Sequence, residues 1–336
     1  VNAKTVLLRT GMDVPLDAAG TVTDDSRIKE AVPTINYLLQ NNCKIILLTH
    51  IDRPDGKVVE NLRVKSTAER LSQLLNKQIK VASECVGIDV EAEIHTLRQG
   101  DILFLENLRF HKEEEANDDN FAKTLASYGN FYVNDAFSNS HRKHASMVGI
   151  PKYLPSATGL LLEKELDVLS ELLHNPKKPF VAILGGAKVS DKIGVIHNLL
   201  KVTDRLLIGG AMSYTFLKAQ GFNVGKSKFE QDKVATAAEL LKEFGSKIVL
   251  PVDIVAAAQF AADAAAKVVA ADNIPQDFMG LDIGPKTVEL FKKEIAAART
   301  ILWNGPLGVF EFDRFANGTI AIAEAVAAAT GNSLTV

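Results

Sequence analysis

The sequence predicts an α/β protein with two doubly wound parallel-sheet lobes that are joined by a helix. Three observations predict this fold class. Short runs rich in Val, Ile and Leu alternate with longer amphipathic stretches, which is the rhythm of βαβ units. The apolar residues of these runs stand at consecutive positions, as in strands that helices cover on both faces. The length of 336 residues, at roughly 150 residues per domain, indicates two domains.

The strand-like runs form two series along the chain. The first series comprises residues 5–9, 44–50, 101–105 and 131–134. The second comprises residues 180–184, 205–208, 247–252, 300–303 and 334–336. Ligands of such Rossmann-like sheets bind beyond the carboxyl ends of the strands, so the residues that follow these runs are the candidates for a site.

Helical patterns lie between the runs, at residues 66–75, 120–128 and 235–244, and the alanine-rich residues 256–266 also have a helical composition. Gly149, Pro151 and Pro155 end the first series, and a charged helical stretch at residues 160–173 follows. We therefore predict a first lobe of residues 1–160, a connecting helix at 161–175 and a second lobe of residues 176–336.

Composition excludes several classes of protein. Apolar residues at 47% and charged residues at 24% are typical of a globular chain, and the formal net charge of −3 gives no basic surface for nucleic acid. No apolar run reaches the roughly 18 residues of a membrane span, and the first residues do not resemble a signal peptide. Two cysteines without C-x-x-C spacing, Cys43 and Cys85, are typical of reduced packing residues. We expect a cytoplasmic protein with no membrane or nucleic-acid partner.

Basic side chains gather in the first lobe, mostly where strand-like runs end. The set is Arg27, His50, Arg53, Arg109, His111, His141 and Arg142. A guanidinium fork donates two parallel hydrogen bonds to a carboxylate or phosphate. A single arginine is more often solvated surface, but the group predicts a small ligand with more than one negative charge. We interpret His111 and His141 as structural.

A segment with two glycines and two lysines follows the first run of the second lobe. Residues 184–192 read LGGAKVSDK, a strand end that passes through paired glycines into a helix start. Glycines allow a phosphate to approach the backbone, and free N–H groups at a helix N-terminus bind anions. Lys188 and Lys192 are four positions apart, which places them on one helical face. A tight turn with solvated lysines fits this segment alone equally well.

Two standard nucleotide signatures are absent. No glycine pair has G-x-G spacing, which excludes the dinucleotide fingerprint. Residues 221–227, GFNVGKS, have three residues between the glycines where a P-loop requires four. The turn-rich residues 303–311, WNGPLGVFE, instead suit a loop beside a flat ring or ribose, with Glu311 as an acceptor for sugar hydroxyls, and residues 279–285 are similar.

Six strings in this order resemble the phosphoglycerate kinase family over essentially the whole chain. They are residues 24–27 (DDSR), 105–111 (LENLRFH), 133–137 (VNDAF) with His141 and Arg142, 184–193, 280–287 and 303–311. The resemblance implies an N-terminal lobe for the acceptor, 3-phosphoglycerate or 1,3-bisphosphoglycerate, and a C-terminal lobe for ATP or ADP with Mg²⁺. It also implies a cytoplasmic glycolytic enzyme, which we expect to be a monomer.

The matched positions imply roles for individual residues. The acceptor site comprises Arg27, His50, Arg53, Arg109 and Arg142. We add Asp13, because residues two apart on a strand share a face and Asp13 can partly replace the acid that the family has at position 11. The nucleotide site comprises Gly186, Ala187, Lys188, Lys192, Gly209, Gly210, Gly280, Asn304, Pro306, Gly308, Val309 and Glu311. Arg27 and Lys192 are the expected catalytic residues. The nucleophile is a carboxylate that is already ionised at neutral pH, so alignment and charge stabilisation suffice, and lobe closure is expected to exclude water.

Three departures from the family pattern lie on the acceptor side. Residues 11–13 read GMD where the family usually has DFN, residues 50–53 read HIDR for HLGR, and residues 138–140 read SNS for GTA. Two like charges about 4 Å apart repel by roughly 1 to 4 kcal/mol, so Asp13 and Asp52 could weaken acceptor binding. A nucleotide-binding, kinase-like protein with weakened or lost phosphoglycerate activity is therefore the alternative hypothesis.

The ends of the chain carry a further expectation. The family has a Gly-Gly-Gly-Asp loop, which holds the nucleotide phosphates and supplies the usual metal ligand, and this loop would follow Val336. We accordingly predict no metal ligand among residues 1–336.

Overall fold

The computed structural model describes every residue from Val1 to Val336. The chain divides into two compact units, Val1–Asp167 and Val168–Val336, and the division falls inside the helix Leu160–His174. Each unit contains a parallel sheet with helices, which confirms the predicted α/β class. No helix of the structure is both long and apolar enough to cross a membrane.

The first unit contains a six-stranded parallel sheet. Its strands are β1 (Thr5–Thr10), β2 (Lys44–Leu48), β3 (Lys80–Val81), β4 (Ile102–Phe104), β5 (Phe131–Asp135) and β6 (Ser156–Thr158). Their order in the sheet is β3-β4-β2-β1-β5-β6. Both central strands pair in register, Val6 opposite Ile45 and Leu8 opposite Leu47, so that their apolar residues form continuous rows.

Helices cover both faces of this sheet. They are α1 (Ser26–Gln40), α2 (Lys65–Leu75), α3 (Ile88–His95), α4 (Lys112–Glu115), α5 (Asp119–Ser127) and α6 (Leu160–His174). Consecutive residues of one strand pack on opposite faces of the sheet: Ile45 lies in one apolar cluster and Ile46 in another. Two buried faces explain why the strands read as unbroken apolar runs. At the start of α6 the buried carboxylate of Asp135 accepts the N–H groups of Leu161 and Leu162 at 2.9 and 3.1 Å.

The second unit contains a five-stranded parallel sheet and two smaller sheets. The parallel sheet has the order β10-β8-β7-β15-β16. Its strands are β7 (Phe180–Leu184), β8 (Arg205–Ile208), β10 (Ile248–Val249), β15 (Thr300–Asn304) and β16 (Leu334–Thr335). The antiparallel sheet β12-β11-β14 consists of β11 (Asp253–Ala257), β12 (Ala266–Ala270) and β14 (Met279–Ile283), and β9 (Asn223–Val224) pairs with β13 (Asn273–Ile274).

The helices of the second unit flank its parallel sheet. They are α7 (Ile193–Val202), α8 (Met212–Ala219), α9 (Val234–Phe244), α10 (Pro285–Ala297) and α11 (Asn317–Ala329). As in the first unit, consecutive residues of the central strand β7 pack in separate cores, Ala182 in one and Ile183 in the other. The strand ends therefore meet at one edge of a rigid, doubly covered sheet.

The helical interpretation of residues 256–266 was wrong. Ala256 and Ala257 end β11, a loop follows, and Ala266 begins β12. Both Ala256 and Ala257 are fully buried in apolar clusters that also contain Tyr214 and Phe315, respectively. Small side chains are needed there because large aromatic rings fill the space. Packing therefore overrides the helix propensity of alanine. The run at residues 247–252 is also shorter than predicted, since only Ile248–Val249 forms a strand.

Candidate active site

Three of the predicted acceptor residues lie beyond the carboxyl ends of neighbouring strands. Asp13 follows β1, His50 follows β2, and Arg109 follows β4. These strands are adjacent in the sheet, with β2 between β1 and β4. The fold thus gathers side chains that are far apart in the sequence.

A buried arginine fixes the state of His50. Arg9, which is 1% exposed, donates from Nη2 to His50 Nδ1 at 2.8 Å. Burial, reinforced by the nearby charge of Arg9, holds the pKa of His50 far below its ordinary value. The imidazole is therefore neutral, with its proton on Nε2, which lies 3.6 Å from Asp13 Oδ2. His50 presents a hydrogen-bond donor without adding a charge.

Asp13 connects the strand-end loops. Its Oδ1 accepts the N–H of Asp52 at 2.8 Å, and its backbone carbonyl accepts a hydrogen bond from Arg27 Nη1 at 2.6 Å. Arg27 Nη1 is also 4.0 Å from Asp13 Oδ2. Asp52 has a left-handed backbone with φ of 52°, the conformation that glycine adopts without strain. This conformation explains why the family pattern has glycine at the position of Asp52. Asp52 adopts the same left-handed conformation, and its side chain is exposed.

Two guanidinium groups in this region have buried donors without a partner. Arg109 Nη1 donates to the carbonyl of Asp52 at 2.8 Å, but its Nε and Nη2 make no hydrogen bond, although Nε lies 3.1 Å from a Glu115 oxygen. Arg142 Nε is likewise buried and unpartnered. An unsatisfied buried donor costs about 1 to 3 kcal/mol, so an anion that accepts from these groups would be bound favourably. Arg53, by contrast, is exposed and makes no side-chain hydrogen bond or ion pair.

The second unit brings its predicted loops together at the ends of β7, β8 and β15. Gly186 N–H donates to the carbonyl of Pro306 at 2.9 Å, and Gly210 N–H donates to the carbonyl of Leu307 at 3.0 Å. The carbonyl of Gly186 accepts from Met212, the first residue of α8, at 3.0 Å. Backbone hydrogen bonds therefore lock the three loops into one surface.

A cavity of about 350 Å³ opens on this surface. It is lined by eight predicted nucleotide residues, namely Gly186, Ala187, Gly210, Gly280, Pro306, Gly308, Val309 and Glu311. Its wall is largely apolar, with Phe260, Met279 and Leu281 beside the glycines. An apolar slot with a few polar groups at its rim suits a flat ring and its sugar.

The lysines of residues 184–192 differ from the prediction. Helix α7 begins at Ile193, so Lys188 and Lys192 lie in the preceding loop and do not share a helical face. Lys192 Nζ donates to the carbonyls of Gly185 and Asn304 at 2.7 and 3.1 Å, and burial lowers its pKa. The loop N–H groups are not free, because the carboxylate of Glu230 accepts those of Val189 and Ser190.

Sequence reasoning missed several residues of these sites. Arg9 stands inside an apolar strand run, where a buried charge is itself a signal. Lys226 and Lys228 line the cavity of the second unit. Lys226 belongs to the GFNVGKS segment, which fails as a P-loop but still turns a lysine towards the cavity. Phe260 lies in the segment interpreted as helical, so its place in the wall could not be foreseen.

Asp282 is a buried carboxyl next to this cavity. Its oxygens accept the N–H groups of Ile283 and Gly318 at 2.9 and 2.7 Å. Burial raises its pKa to about 7. The folded protein therefore keeps this proton to a higher pH than the unfolded chain does, and Asp282 makes folding less favourable as the pH rises from about 4 to 7.

We expect Asp282→Asn to remove that pH dependence. Relative to the wild type, the variant should gain up to about 1.4 kcal/mol of unfolding free energy for each pH unit between these two pKa values, because the amide never ionises. Urea unfolding at pH 5 and at pH 7 measures the difference. Asp277→Asn, on an exposed turn, is the matched control and should follow the wild type. If the unfolding free energies of Asp282→Asn and the wild type differ by the same amount at pH 5 and at pH 7, the raised pKa of Asp282 is contradicted.

Gly210 is a second testable position. Its φ is 63°, and a Cβ there would lie 2.6 Å from the nitrogen and 2.8 Å from the oxygen of Gly186. We expect Gly210→Ala to lower the unfolding free energy by about 1 to 3 kcal/mol. Gly194→Ala is the control, since a Cβ at Gly194 meets nothing within 4 Å in helix α7 and should stabilise it by up to about 1 kcal/mol. Denaturant unfolding of both variants measures these changes. Equal changes in the unfolding free energy of Gly210→Ala and Gly194→Ala would contradict the predicted clash at Gly210.

The comparisons with known proteins agree with this geometry. The family model described as phosphoglycerate kinase matches residues 1–336. A phosphoglycerate kinase of Moorella thermoacetica is 51% identical over 99% of this chain and 86% of its own length. One from Dictyoglomus turgidum is 50% identical over 97% of this chain and 83% of its own length. The solved phosphoglycerate kinase of Coxiella burnetii superposes with a TM-score of 0.85, at 36% identity, over 99% of this chain and 85% of that one.

Two α/β units, one of them with glycine-rich loops around an apolar cavity at its strand ends, are typical of the class of nucleotide-using phosphotransferases. The family model covers the whole chain, and a relative of that family is 51% identical over 99% of it, which narrows this class to one family. The chain belongs to the phosphoglycerate kinase family, and it is an enzyme that uses ATP or ADP. No finding favours the alternative of a nucleotide-binding protein that has lost phosphoglycerate activity.

Proposed function

We propose that this chain transfers a phosphoryl group reversibly between 1,3-bisphosphoglycerate and ADP, giving 3-phosphoglycerate and ATP in glycolysis and gluconeogenesis. The observation that carries the acceptor half is the set of buried guanidinium donors without partners on Arg109 and Arg142. A small ligand with both a phosphate and a carboxylate would satisfy them. The cavity beside the glycine loops of the second unit supports the nucleotide half.

In this proposal residues 1–160 bind the acceptor and residues 176–336 bind the nucleotide, with the helix at 161–175 between them. The acceptor is held by Asp13, Arg27, His50, Arg53, Arg109 and Arg142. Neutral His50 donates one hydrogen bond from Nε2, and the arginines supply the positive charge. Arg53 is assigned on the family pattern alone, because its side chain is exposed and has no contact that orients it.

The nucleotide is held by backbone and side chains of the second unit. Gly186, Ala187, Gly209, Gly210, Gly280, Pro306, Gly308 and Val309 shape the slot, Glu311 accepts from the ribose, and Asn304, Lys188 and Lys192 face the phosphates. We add Lys226 and Lys228 to the phosphate contacts because both line the same cavity. Glu230 occupies two loop N–H groups, so phosphate binding to the loop at residues 188–190 would displace its carboxylate.

Catalysis needs no general base in this scheme. The attacking group is a carboxylate, which is ionised at neutral pH, and the transition state of phosphoryl transfer is loose. The protein aligns the reactants and stabilises charge that spreads over the transferred oxygens. We propose Lys192 for that role on the nucleotide side and Arg27 on the acceptor side.

The nucleotide is proposed to enter as its Mg²⁺ complex. The cavity offers a single carboxylate, Glu311, while glycine backbone and lysines, its other polar groups, bind phosphate and not metal. The residues that line this cavity do not make up a magnesium site, and we assign no magnesium ligand among them. We further propose a cytoplasmic monomer without nucleic-acid or membrane partners.

A coupled assay tests the function. Formation of ADP from ATP that depends on 3-phosphoglycerate is the expected result. Because this chain spans 86% of the Moorella relative, the assay is also run on a hybrid continued at both ends with the residues of that relative. Activity in neither protein, with both shown to be folded, would refute the proposal.

The altered acceptor residues give a separate prediction. We expect Gly11→Asp, Asp13→Asn and Asp52→Gly, combined, to tighten 3-phosphoglycerate binding by about tenfold or more, because two carboxylates are removed from the acceptor side and only one is added. A side chain at Gly11 is sterically possible, since its Cβ would lie 3.4 Å from Ser138 Oγ. Calorimetric titration of 3-phosphoglycerate measures the change.

Asp55→Gly is the matched control for this variant. Asp55 is also exposed and has φ of 54°, so its replacement removes the same charge and the same backbone strain elsewhere in the loop. We expect unchanged affinity. Equal and tight binding by the wild type and the triple variant would show that the departures from the family pattern are tolerated.

A further inference from the structure

Three side chains with different donor atoms meet in the first unit outside the residues assigned to the acceptor. Glu84 and Cys85 follow β3, and His111 follows β4 after one short helical turn, Leu108–Phe110. Strands β3 and β4 are parallel neighbours, so their carboxyl ends are adjacent. The carboxylate oxygen, the sulfur and the ring nitrogen that these residues offer all lie within 4.8 Å of one another.

Direct contacts hold the three groups in place. Glu84 Oε2 is 2.7 Å from His111 Nε2 and also accepts the N–H of Cys85 at 3.0 Å. Cys85 Sγ lies 3.0 Å from the backbone carbonyl of Glu106 and is fully buried. The side chains of Glu84 and His111 are 44% and 25% exposed, so the cluster can be reached from solvent.

We propose that Glu84, Cys85 and His111 form a binding site for a borderline-soft divalent cation of the Zn²⁺ type. Thiolate, imidazole and carboxylate are the three ligand classes of protein zinc sites, and three protein ligands leave a fourth position for water. Binding replaces the proton of the Cys85 thiol, which passes to solvent, by a metal–sulfur bond. The site differs in chemistry from any nucleotide-bound Mg²⁺, because Mg²⁺ takes oxygen ligands and not a thiolate.

The distances require adjustments at the carboxylate and at the sulfur. Zinc–nitrogen and zinc–oxygen bonds of about 2.0 to 2.1 Å place two tetrahedral ligands roughly 3.3 Å apart. The observed 2.7 Å between Glu84 and His111 must therefore open by about half an ångström. Glu84 is the half-exposed member and is free to move by this amount. A zinc–sulfur bond of about 2.3 Å places the sulfur roughly 3.6 Å from the other two ligand atoms, which now lie within 4.8 Å of it, and it replaces the contact of the thiol with the Glu106 carbonyl. The ring of His111 packs on Phe121 with centroids 5.3 Å apart, which fixes its position.

Cobalt binding to the purified chain tests this site, because Co²⁺ substitutes for Zn²⁺ and gives a near-ultraviolet charge-transfer band only when a thiolate binds it. We expect one such band per chain, which Zn²⁺ abolishes and excess Mg²⁺ does not. Cys85→Ser should eliminate the band. Cys43→Ser is the matched control and should retain it, since Cys43 is the other buried cysteine and packs in the opposite core of the sheet.

Substitutions at His111 and Glu84 test the site even if the Cys85→Ser variant does not fold, because both side chains are partly exposed. His111→Gln and Glu84→Gln should each weaken Co²⁺ binding at least tenfold, with circular dichroism unchanged. The proposal is overturned if the wild type shows no band, if the band persists in Cys85→Ser, or if both glutamine variants bind Co²⁺ as tightly as the wild type.

Discussion

Replacement of Lys192 by alanine is expected to lower the turnover number by about a hundred- to a thousandfold, with a much smaller change in the Michaelis constant for the nucleotide. The ammonium group is held at the ends of β7 and β15 by the carbonyls of Gly185 and Asn304. It is partly buried there, so its charge is screened less than on an open surface. Charge on the transferred phosphoryl oxygens grows only during transfer, and this is when the contact is strongest.

Steady-state kinetics with ATP at saturating 3-phosphoglycerate measures the effect of Lys192→Ala. Lys201→Ala is the control, because Lys201 is an exposed lysine in the last turn of α7 and should leave both constants unchanged. If Lys192→Ala raises only the Michaelis constant, Lys192 binds the nucleotide ground state and does not stabilise the transition state.

Arg27→Ala is expected to reduce the turnover number at least a hundredfold on the acceptor side. The guanidinium group is 53% exposed and is anchored only through Asp13, so it is available to a ligand in a way that the buried Arg9 is not. In the proposed mechanism its removal withdraws positive charge from the transferred group, and the buried donors of Arg109 and Arg142 still bind the acceptor. Binding of 3-phosphoglycerate should therefore weaken far less than turnover.

Turnover and 3-phosphoglycerate affinity are measured separately for this variant, by assay and by calorimetry. Lys29→Ala is the matched control: Lys29 lies on the same helix α1 and pairs with Asp25 at 2.8 Å, and its loss should not change turnover. An Arg27→Ala enzyme with normal turnover and a raised Michaelis constant would show that Arg27 only docks the acceptor.

The sheets could be predicted because both faces of their strands are buried. Residues 6–8 and 45–48 are apolar without interruption. In the structure consecutive residues of these strands pack in two separate cores, one on each face of the sheet, so every position is buried. The antiparallel strands β11 and β12 could not be predicted in the same way. Their alanines satisfy helix and strand patterns equally, and only the rings of Tyr214 and Phe315 next to β11 decide between them.

The lining of the cavity could be predicted where a residue follows a strand, whereas a contact that depends on a distant partner could not be predicted. Gly186, Gly210 and Pro306 stand directly after strands, and all three line the cavity. Glu230 contacts a loop about 40 positions earlier in the chain, a pairing that no local pattern contains. The helical face predicted for Lys188 and Lys192 does not exist, because α7 begins only at Ile193 and the sequence gives no signal for this late start.

The pairing of Arg9 with His50 has a consequence for how acceptor affinity should vary with acidity. Because the pKa of His50 is held far below its ordinary value by burial and by Arg9, the imidazole gains no proton between about pH 5 and 8. A phosphate ester, in contrast, takes up its second proton near pH 6. His50 therefore adds no titration of its own to 3-phosphoglycerate binding across this range. A phosphonate analogue with a higher second pKa should shift the part of the binding curve that the phosphate group sets, while His50 stays neutral throughout.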